Sequence, residues 1–229
     1  MTSRVSLLLV HGAHHGAWCW EPVLARLSEH GIPAQAVDLP LDGYSSDVAT
    51  VRSAVQELRA DGPVAVVAHS YAGIVVAAAA HAASRLIFVA ARLPLPGESQ
   101  AALHWNLPGL REATSVDGDG WAHLGPAARD FFYSDCPSHA ADLATSRLRP
   151  MRSVVPTDPL EMPAWTTVPT AYIVCRRDKV VRVDRQRERA ALVDDAYELD
   201  CGHSPFFALP DELTGLLMVQ AAKTATHSM

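Results

Sequence analysis

Four short runs of Val, Ile, Leu and Ala, each followed by a stretch of helical character, constrain this chain more than any other feature. Ser6-Leu-Leu-Leu-Val10, Ile32 to Asp38, Val64-Ala-Val-Val-Ala68 and Arg85 to Ala90 read as strands. Strands that are almost continuously apolar are covered on both faces, and strands that alternate with helices lie parallel. The intervening helices are predicted from about Trp18 to His30 with Gly31 as the stop, from Val48 to Ala60 capped by Asp47, and from Tyr71 to Ala83. The class is α/β, with a mostly parallel central sheet and helices on both faces.

The alternation stops near Leu93. From Pro94 onward prolines and tryptophans appear without a strand signal, and the stretch is too long for a simple connection. It reads as a helical insertion, 94–164, capping the carboxyl edge of the sheet. The core, 1–93 and 165–229, resumes with a strand at Thr170 to Cys175 and a helix near Asp184 to Leu192. A last strand, Ala196 to Leu199, and a helix from about Pro210 to Ala222 follow, with the tail from Ala221 to Met229 expected to fray. Of 229 residues 49% are apolar, enough for a large core and against intrinsic disorder. A net charge of −6 argues against nucleic acid as a partner, since phosphate recognition rests on clustered positive charge. The early apolar run Leu7 to Val10 is far short of the roughly 20 residues of a membrane span and shorter than a signal-peptide core. Cys19, Cys136, Cys175 and Cys201 have no CxxC spacing and read as reduced thiols of a cytoplasmic protein.

Three features fall at strand ends. In Val66-Val-Ala-His-Ser-Tyr-Ala-Gly73, Ser70 lies between a strand and a helix rich in small residues. A sharp turn of that kind projects a hydroxyl from the sheet edge, although a serine there can also simply cap the helix. In Leu199-Asp-Cys-Gly-His-Ser-Pro205, His203 follows the last strand; in Tyr172-Ile-Val-Cys-Arg-Arg-Asp178, an acid follows the penultimate one. The chain order serine, acid, histidine resembles that of α/β-hydrolase triads, in which an imidazole deprotonates the serine and a carboxylate orients the imidazole. Acyl transfer also needs donors for a developing oxyanion. The loop Val10-His-Gly-Ala-His-His-Gly-Ala-Trp18 follows the first strand on the same sheet edge, so the backbone N–H groups of Ala13 and Tyr71 are the natural pair. His11, His14 and His15 lack an accompanying acid or cysteine ligand, and no metal is expected there.

These residues resemble the α/β-hydrolase superfamily, and within it the branch of plant methylesterases, hydroxynitrile lyases and related bacterial carboxylesterases. The resemblance is carried by His11-Gly-Ala-His-His-Gly-Ala-Trp-Cys-Trp20, Ala68-His-Ser-Tyr-Ala-Gly73, Arg176-Arg-Asp-Lys-Val180 and Gly202-His-Ser-Pro-Phe206. It implies the α/β-hydrolase fold, Ser70, Asp178 and His203 as a triad, Ala13 and Tyr71 as the oxyanion pair, and no cofactor. The lyases carry a threonine where this chain has Gly12 and a lysine where it has Ser204, so the resemblance disfavours cyanohydrin cleavage. Departures are Ala68 and Ala72 where the elbow usually has glycine, and Cys201-Gly202-His203 where the plant enzymes have Gly-Asp-His.

The insertion is expected to set the substrate. Trp105, Trp121, Phe131, Phe132, Tyr133 and Trp165 are candidates to wall an apolar pocket or to form the insertion's own core, with Gly12, His14, Trp105, Trp121 and Phe132 chosen as substrate-binding. The basic run Arg176 to Arg189, interleaved with Asp178, Asp184 and Glu188, reads as a solvated helix face; docking of an anionic carrier is the alternative. The expected reaction is hydrolysis of a carboxylic ester, lactone or thioester of a hydrophobic small molecule through an acyl-enzyme. The alternative is a non-hydrolytic step on the same scaffold, such as cyclisation, rearrangement or elimination. The expected partner is a small ester-like substrate, with no nucleic acid and no membrane; a homodimer is left open.

Overall fold

In β1 (Ser6–Val10) Leu7 and Leu9 point into one buried cluster while Leu8 and Val10 point into another. The same division runs through β3 (Val64–His69) and β4 (Arg85–Val89), so the sheet is a wall between two cores. Each such leucine, withdrawn fully from water, contributes about 1.5–3 kcal/mol. A computed structural model describes residues 4–103, 109–154 and 156–227. With β2 (Ala34–Val37), β10 (Thr170–Cys175) and β11 (Asp195–Leu199), these strands form a six-stranded parallel sheet in the order β11-β10-β4-β3-β1-β2. Helices α1 (Glu21–Glu29), the short α7 (Pro205–Ala208) and α8 (Pro210–His227) cover one face; α2 (Tyr44–Arg59), α3 (Ala72–Ala79) and α6 (Val183–Ala190) cover the other.

The order in which successive strands are added reverses between β1 and β3, the switch point at which parallel sheets open a crevice at their carboxyl ends. The register pairs Val10 with Ala68, His69 with Val89 and Cys175 with Leu199. The loops after these strands therefore emerge on one edge, carrying 11–16, Ser70, 90–93, Asp178 and His203.

Between β4 and β10 the structure corrects the helical reading of 94–164. Among the described residues of this stretch are two short α-helices, α4 (Ala128–Phe132) and α5 (Ser138–Ser146), but also a three-stranded antiparallel sheet of β6 (Thr114–Val116), β7 (Trp121–Leu124) and β8 (Met151–Arg152). A two-stranded ladder joins β5 (Glu98–Ser99) to β9 (Pro159–Leu160). The β6–β7 hairpin has a local cause: Asp117 Oδ1 accepts the N–H groups of Asp119 (3.0 Å) and Trp121 (2.9 Å), and Gly120 takes a φ of +81°.

Two further expectations give way. Asp47 lies inside α2 instead of capping it, because its carboxylate accepts the Leu41 N–H at 2.9 Å and the Tyr71 hydroxyl at 2.6 Å. The tail is helical to His227, since Leu213, Leu217, Ala221 and Thr224 are all buried along α8. No helix among the described residues is long and apolar enough to cross a membrane.

Candidate active site

Ser70 occupies the single turn between β3 and α3 with a φ of +54°, a conformation that costs of order 1–3 kcal/mol for a residue with a Cβ. Three backbone hydrogen bonds hold it there. Its N–H donates to Val89 O (3.2 Å), and its carbonyl accepts from Gly73 N–H (3.1 Å) and Arg92 N–H (3.1 Å). A Cβ on Gly73 would collide with the Arg92 backbone, so the glycine needed for close helix–loop passage sits at 73, while Ala68 and Ala72 are buried without difficulty.

Asp178 and His203 come from the loops after β10 and β11. His203 Nδ1–H donates to Asp178 Oδ2 at 2.9 Å, with both side chains fully buried. The carboxylate is saturated: Oδ1 accepts from Val180 N–H (2.7 Å) and Val181 N–H (2.9 Å), and Oδ2 also accepts from Gln186 Nε2 (2.7 Å). With Nδ1 protonated, His203 Nε2 is an acceptor, and it is buried without a hydrogen bond to any described residue. His69 links the histidine loop to the serine turn: its Nε2–H donates to His203 O at 2.8 Å and its ring packs 4.6 Å from the His203 ring. Gly12 closes the same corner, for a Cβ there would sit 3.0 Å from both His69 Nδ1 and Ser70 Cβ.

The loop after β1 is held by its own histidines. His11 Nδ1–H donates to Gly12 O (2.8 Å) while Nε2 accepts from Leu39 N–H (2.9 Å); His15 Nδ1–H donates to Ala13 O (2.7 Å) while Nε2 accepts from the Tyr133 hydroxyl (2.8 Å). His14, with a φ of +62°, donates from Nδ1 to Arg149 O at 2.9 Å. Desolvation by burial pushes His11 and His14 down to about 4 and His15 to about 3. Among the described residues no group of three or more metal-ligating side chains is gathered. Nor does any described residue accept a hydrogen bond from the Ala13 or Tyr71 N–H, the two donors that flank Ser70.

Arg149 ties the insertion to this loop. Its N–H donates to His14 O (2.7 Å), Nε to His15 O (2.9 Å) and a terminal nitrogen to Leu39 O (2.9 Å). Arg149→Ala leaves those side-chain acceptors unmet and is expected to cost about 1–3 kcal/mol, lowering Tm by about 2–4 °C per kcal/mol. A thermal melt unchanged by the substitution would show that the clamp holds nothing.

Above Ser70 lies a cavity of about 880 Å³ lined by Ala13, His14, Ser70, Tyr71 and Phe132 together with side chains of the β6–β8 sheet. Of the residues chosen from sequence as substrate-binding, His14 and Phe132 line it. Gly12 packs beneath Ser70, and Trp121 stays in the insertion's own sheet with the Arg152 guanidinium 4.7 Å over its ring. Trp105 lies outside the described residues. Arg177 pairs with Asp135 and Asp200, Arg187 with Glu198 and Arg189 with Glu98, so much of the basic run is matched within the chain. Gln186, His69 and Arg149 were not singled out from sequence, and Tyr133 was read only as a wall or core aromatic. The hydrogen bonds they make to Asp178, His203, the His14–His15 loop and His15 follow from tertiary packing, which no local pattern reports.

A model of the alpha/beta hydrolase family matches residues 7–215. The chain is 30% identical to Methylesterase 7 of Arabidopsis thaliana, over 97% of this chain and 98% of that protein. It is 29% identical to Norfluorocurarine synthase 2 of a Strychnos species, over 95% of each chain. Among solved structures, polyneuridine aldehyde esterase superimposes with a TM-score of 0.81 at 22% identity, covering 95% of this chain and 99% of that one.

Proposed function

The chain belongs to the alpha/beta hydrolase family, and from that premise we propose that it is a serine hydrolase cleaving a carboxylic ester of a hydrophobic small molecule through an acyl-enzyme. The supporting observation is the His203–Asp178 hydrogen bond, which fixes the tautomer with Nε2 unprotonated, on the same sheet edge as a serine held in a strained turn. Ser70 Oγ attacks the ester carbonyl carbon as His203 Nε2 takes its proton, and Asp178 stabilises the imidazolium that forms. The oxyanion is received by the Ala13 and Tyr71 N–H groups, a contribution typically worth roughly 10²–10³ in rate per donor. Collapse breaks the bond to the leaving alkoxide, which departs as the alcohol with the proton from His203. Water then gives its proton to Nε2, attacks the acyl carbon and releases the acid and Ser70. Similarity to proteins named Methylesterase 7 and polyneuridine aldehyde esterase supports an ester as substrate. Similarity to a protein named a synthase favours, as the second reading, a non-hydrolytic step in which Ser70 only orients the substrate.

A fluorophosphonate tests the first reading without knowledge of the substrate. Intact mass should show one adduct on the wild-type protein and none on Ser70→Ala or His203→Ala. An adduct that survives in Ser70→Ala, or none on the wild type, would remove the activated-serine mechanism.

A further inference from the structure

His14 is held against the insertion by a reciprocal pair of hydrogen bonds. Its Nδ1–H donates to Arg149 O at 2.9 Å, and its own carbonyl accepts from Arg149 N–H at 2.7 Å. A carbonyl can only accept, so the ring proton sits on Nδ1 and the second nitrogen, Nε2, carries a lone pair. Nε2 makes no hydrogen bond to a described residue, while the ring lines the cavity above Ser70. Burial holds the group at about 4, so at neutral pH the ring is uncharged and Nε2 is an acceptor.

Three hydroxyls of the same wall have spent their protons on the protein. Thr114 donates to Leu110 O (2.8 Å), Ser153 to Gly120 O (2.9 Å) and Tyr71 to Asp47 Oδ2 (2.6 Å), so none of them has a proton to give His14. Leu110, Val116, Leu124 and Met151 make much of the remaining wall apolar. A purely apolar ester would cover the Nε2 lone pair and offer it no proton, which for a buried acceptor costs about 1–3 kcal/mol. A neutral hydroxyl would meet it, and an apolar chain beyond that hydroxyl would suit the rest of the wall. Where the hydroxyl lies on the substrate follows from the chain. His14 is the residue after Ala13, whose N–H faces the carbonyl oxygen in the reading above, and the leaving oxygen must face His203. The donor therefore belongs on the acyl side, within a few bonds of the ester carbon.

We propose that the natural substrate is an ester of a hydroxylated, otherwise apolar acid, whose hydroxyl beside the ester group donates to His14 Nε2 while the apolar body lies against the β6–β8 wall. The proposal rests on the ester-hydrolase reading above and names its substrate class.

The test sets the p-nitrophenyl esters of 2- and 3-hydroxyhexanoic acid against those of hexanoic acid and of the two O-methyl ethers, each rate divided by its uncatalysed rate. The methyl ether keeps the oxygen and removes the proton. The wild type should favour at least one hydroxy ester over both its methyl ether and hexanoate by about 10–100-fold in kcat/KM. His14→Phe should bring both ratios close to one; each ratio is taken within one protein, so a general loss of activity cancels. Either ratio near one in the wild type, or both unchanged in His14→Phe, would overturn the assignment while leaving the hydrolase intact. The wild-type comparison decides alone if the variant does not fold. No turnover of any of these esters together with no fluorophosphonate adduct would instead overturn the hydrolase reading on which the proposal stands.

Discussion

Ser70→Ala is expected to lower ester turnover by at least about 10³-fold without lowering Tm by more than a few degrees. Alanine removes only the hydroxyl oxygen, and the three backbone hydrogen bonds that hold the turn involve main-chain atoms only, so the fold has little reason to respond. Asp178→Asn should cost about 10³–10⁴-fold for a different reason. With Oδ1 kept on the Val180 and Val181 N–H groups, the new amide nitrogen faces two donors, Gln186 Nε2 and His203 Nδ1. His203 can accommodate it only by moving its proton to Nε2, the atom that must accept from Ser70. Flipping the amide turns the nitrogen against the backbone donors instead. Steady-state kinetics on one chromogenic ester decides both variants. Turnover near the wild-type level in Ser70→Ala would eliminate the acyl-enzyme and move the non-hydrolytic reading to first place.

The strands were legible because a parallel strand buried on both faces is written as an unbroken apolar run. The prediction for Ser6–Val10 and that for Thr170–Cys175 match β1 and β10 residue for residue. The placement of Ser70, Asp178 and His203 on one edge was legible because each falls just after such a run, where the topology leads every loop to that edge. The insertion was misread because its strands are two to four residues long and its proline content drew attention away from Val116-Asp-Gly-Asp-Gly-Trp121, a turn signal between two β-forming residues. Asp47 shows a different limit. An aspartate before a helical run is by local rules a cap, yet here two partners, one of them from the serine turn 24 residues on, outbid the helix end. Gln186 on Asp178 and Arg149 on the His14–His15 loop are likewise tertiary choices, and a single sequence carries no trace of them.

Lowering the pH from 7 to 5 is expected to remove several kcal/mol of folding stability, a loss driven by histidines. Burial holds His11 and His14 at about 4 and His15 at about 3, and it also drives His69 well below its ordinary value. Each ring already uses one nitrogen as a donor to a backbone carbonyl. Protonating the other in His11 or His15 would place a donor against the Leu39 N–H or the Tyr133 hydroxyl. A group held below its unfolded value of about 6.5 stabilises the native state fully above that pH and progressively less as the pH falls toward its folded value. At pH 5 each of the three valued histidines contributes about 2 kcal/mol less than at neutral pH, a sum comparable with the whole stability of an ordinary domain. Neighbouring charges do not reverse this: Arg149 also lowers His11, His203 and His11 lower His15, and the Asp38 carboxylate raises His11 by less than burial lowers it. Most carboxylates titrate below this window, and Asp47, held above its usual range by burial, works in the opposite direction as one group against four. Urea denaturation at half-unit steps between pH 7 and 5 gives the number of protons taken up on unfolding from the slope of stability against pH. Two or more are expected at the acid end of that window. Fewer than one would mean that the buried histidines are already charged in the native protein, and that the neutral tautomers assigned to the loop after β1 are wrong.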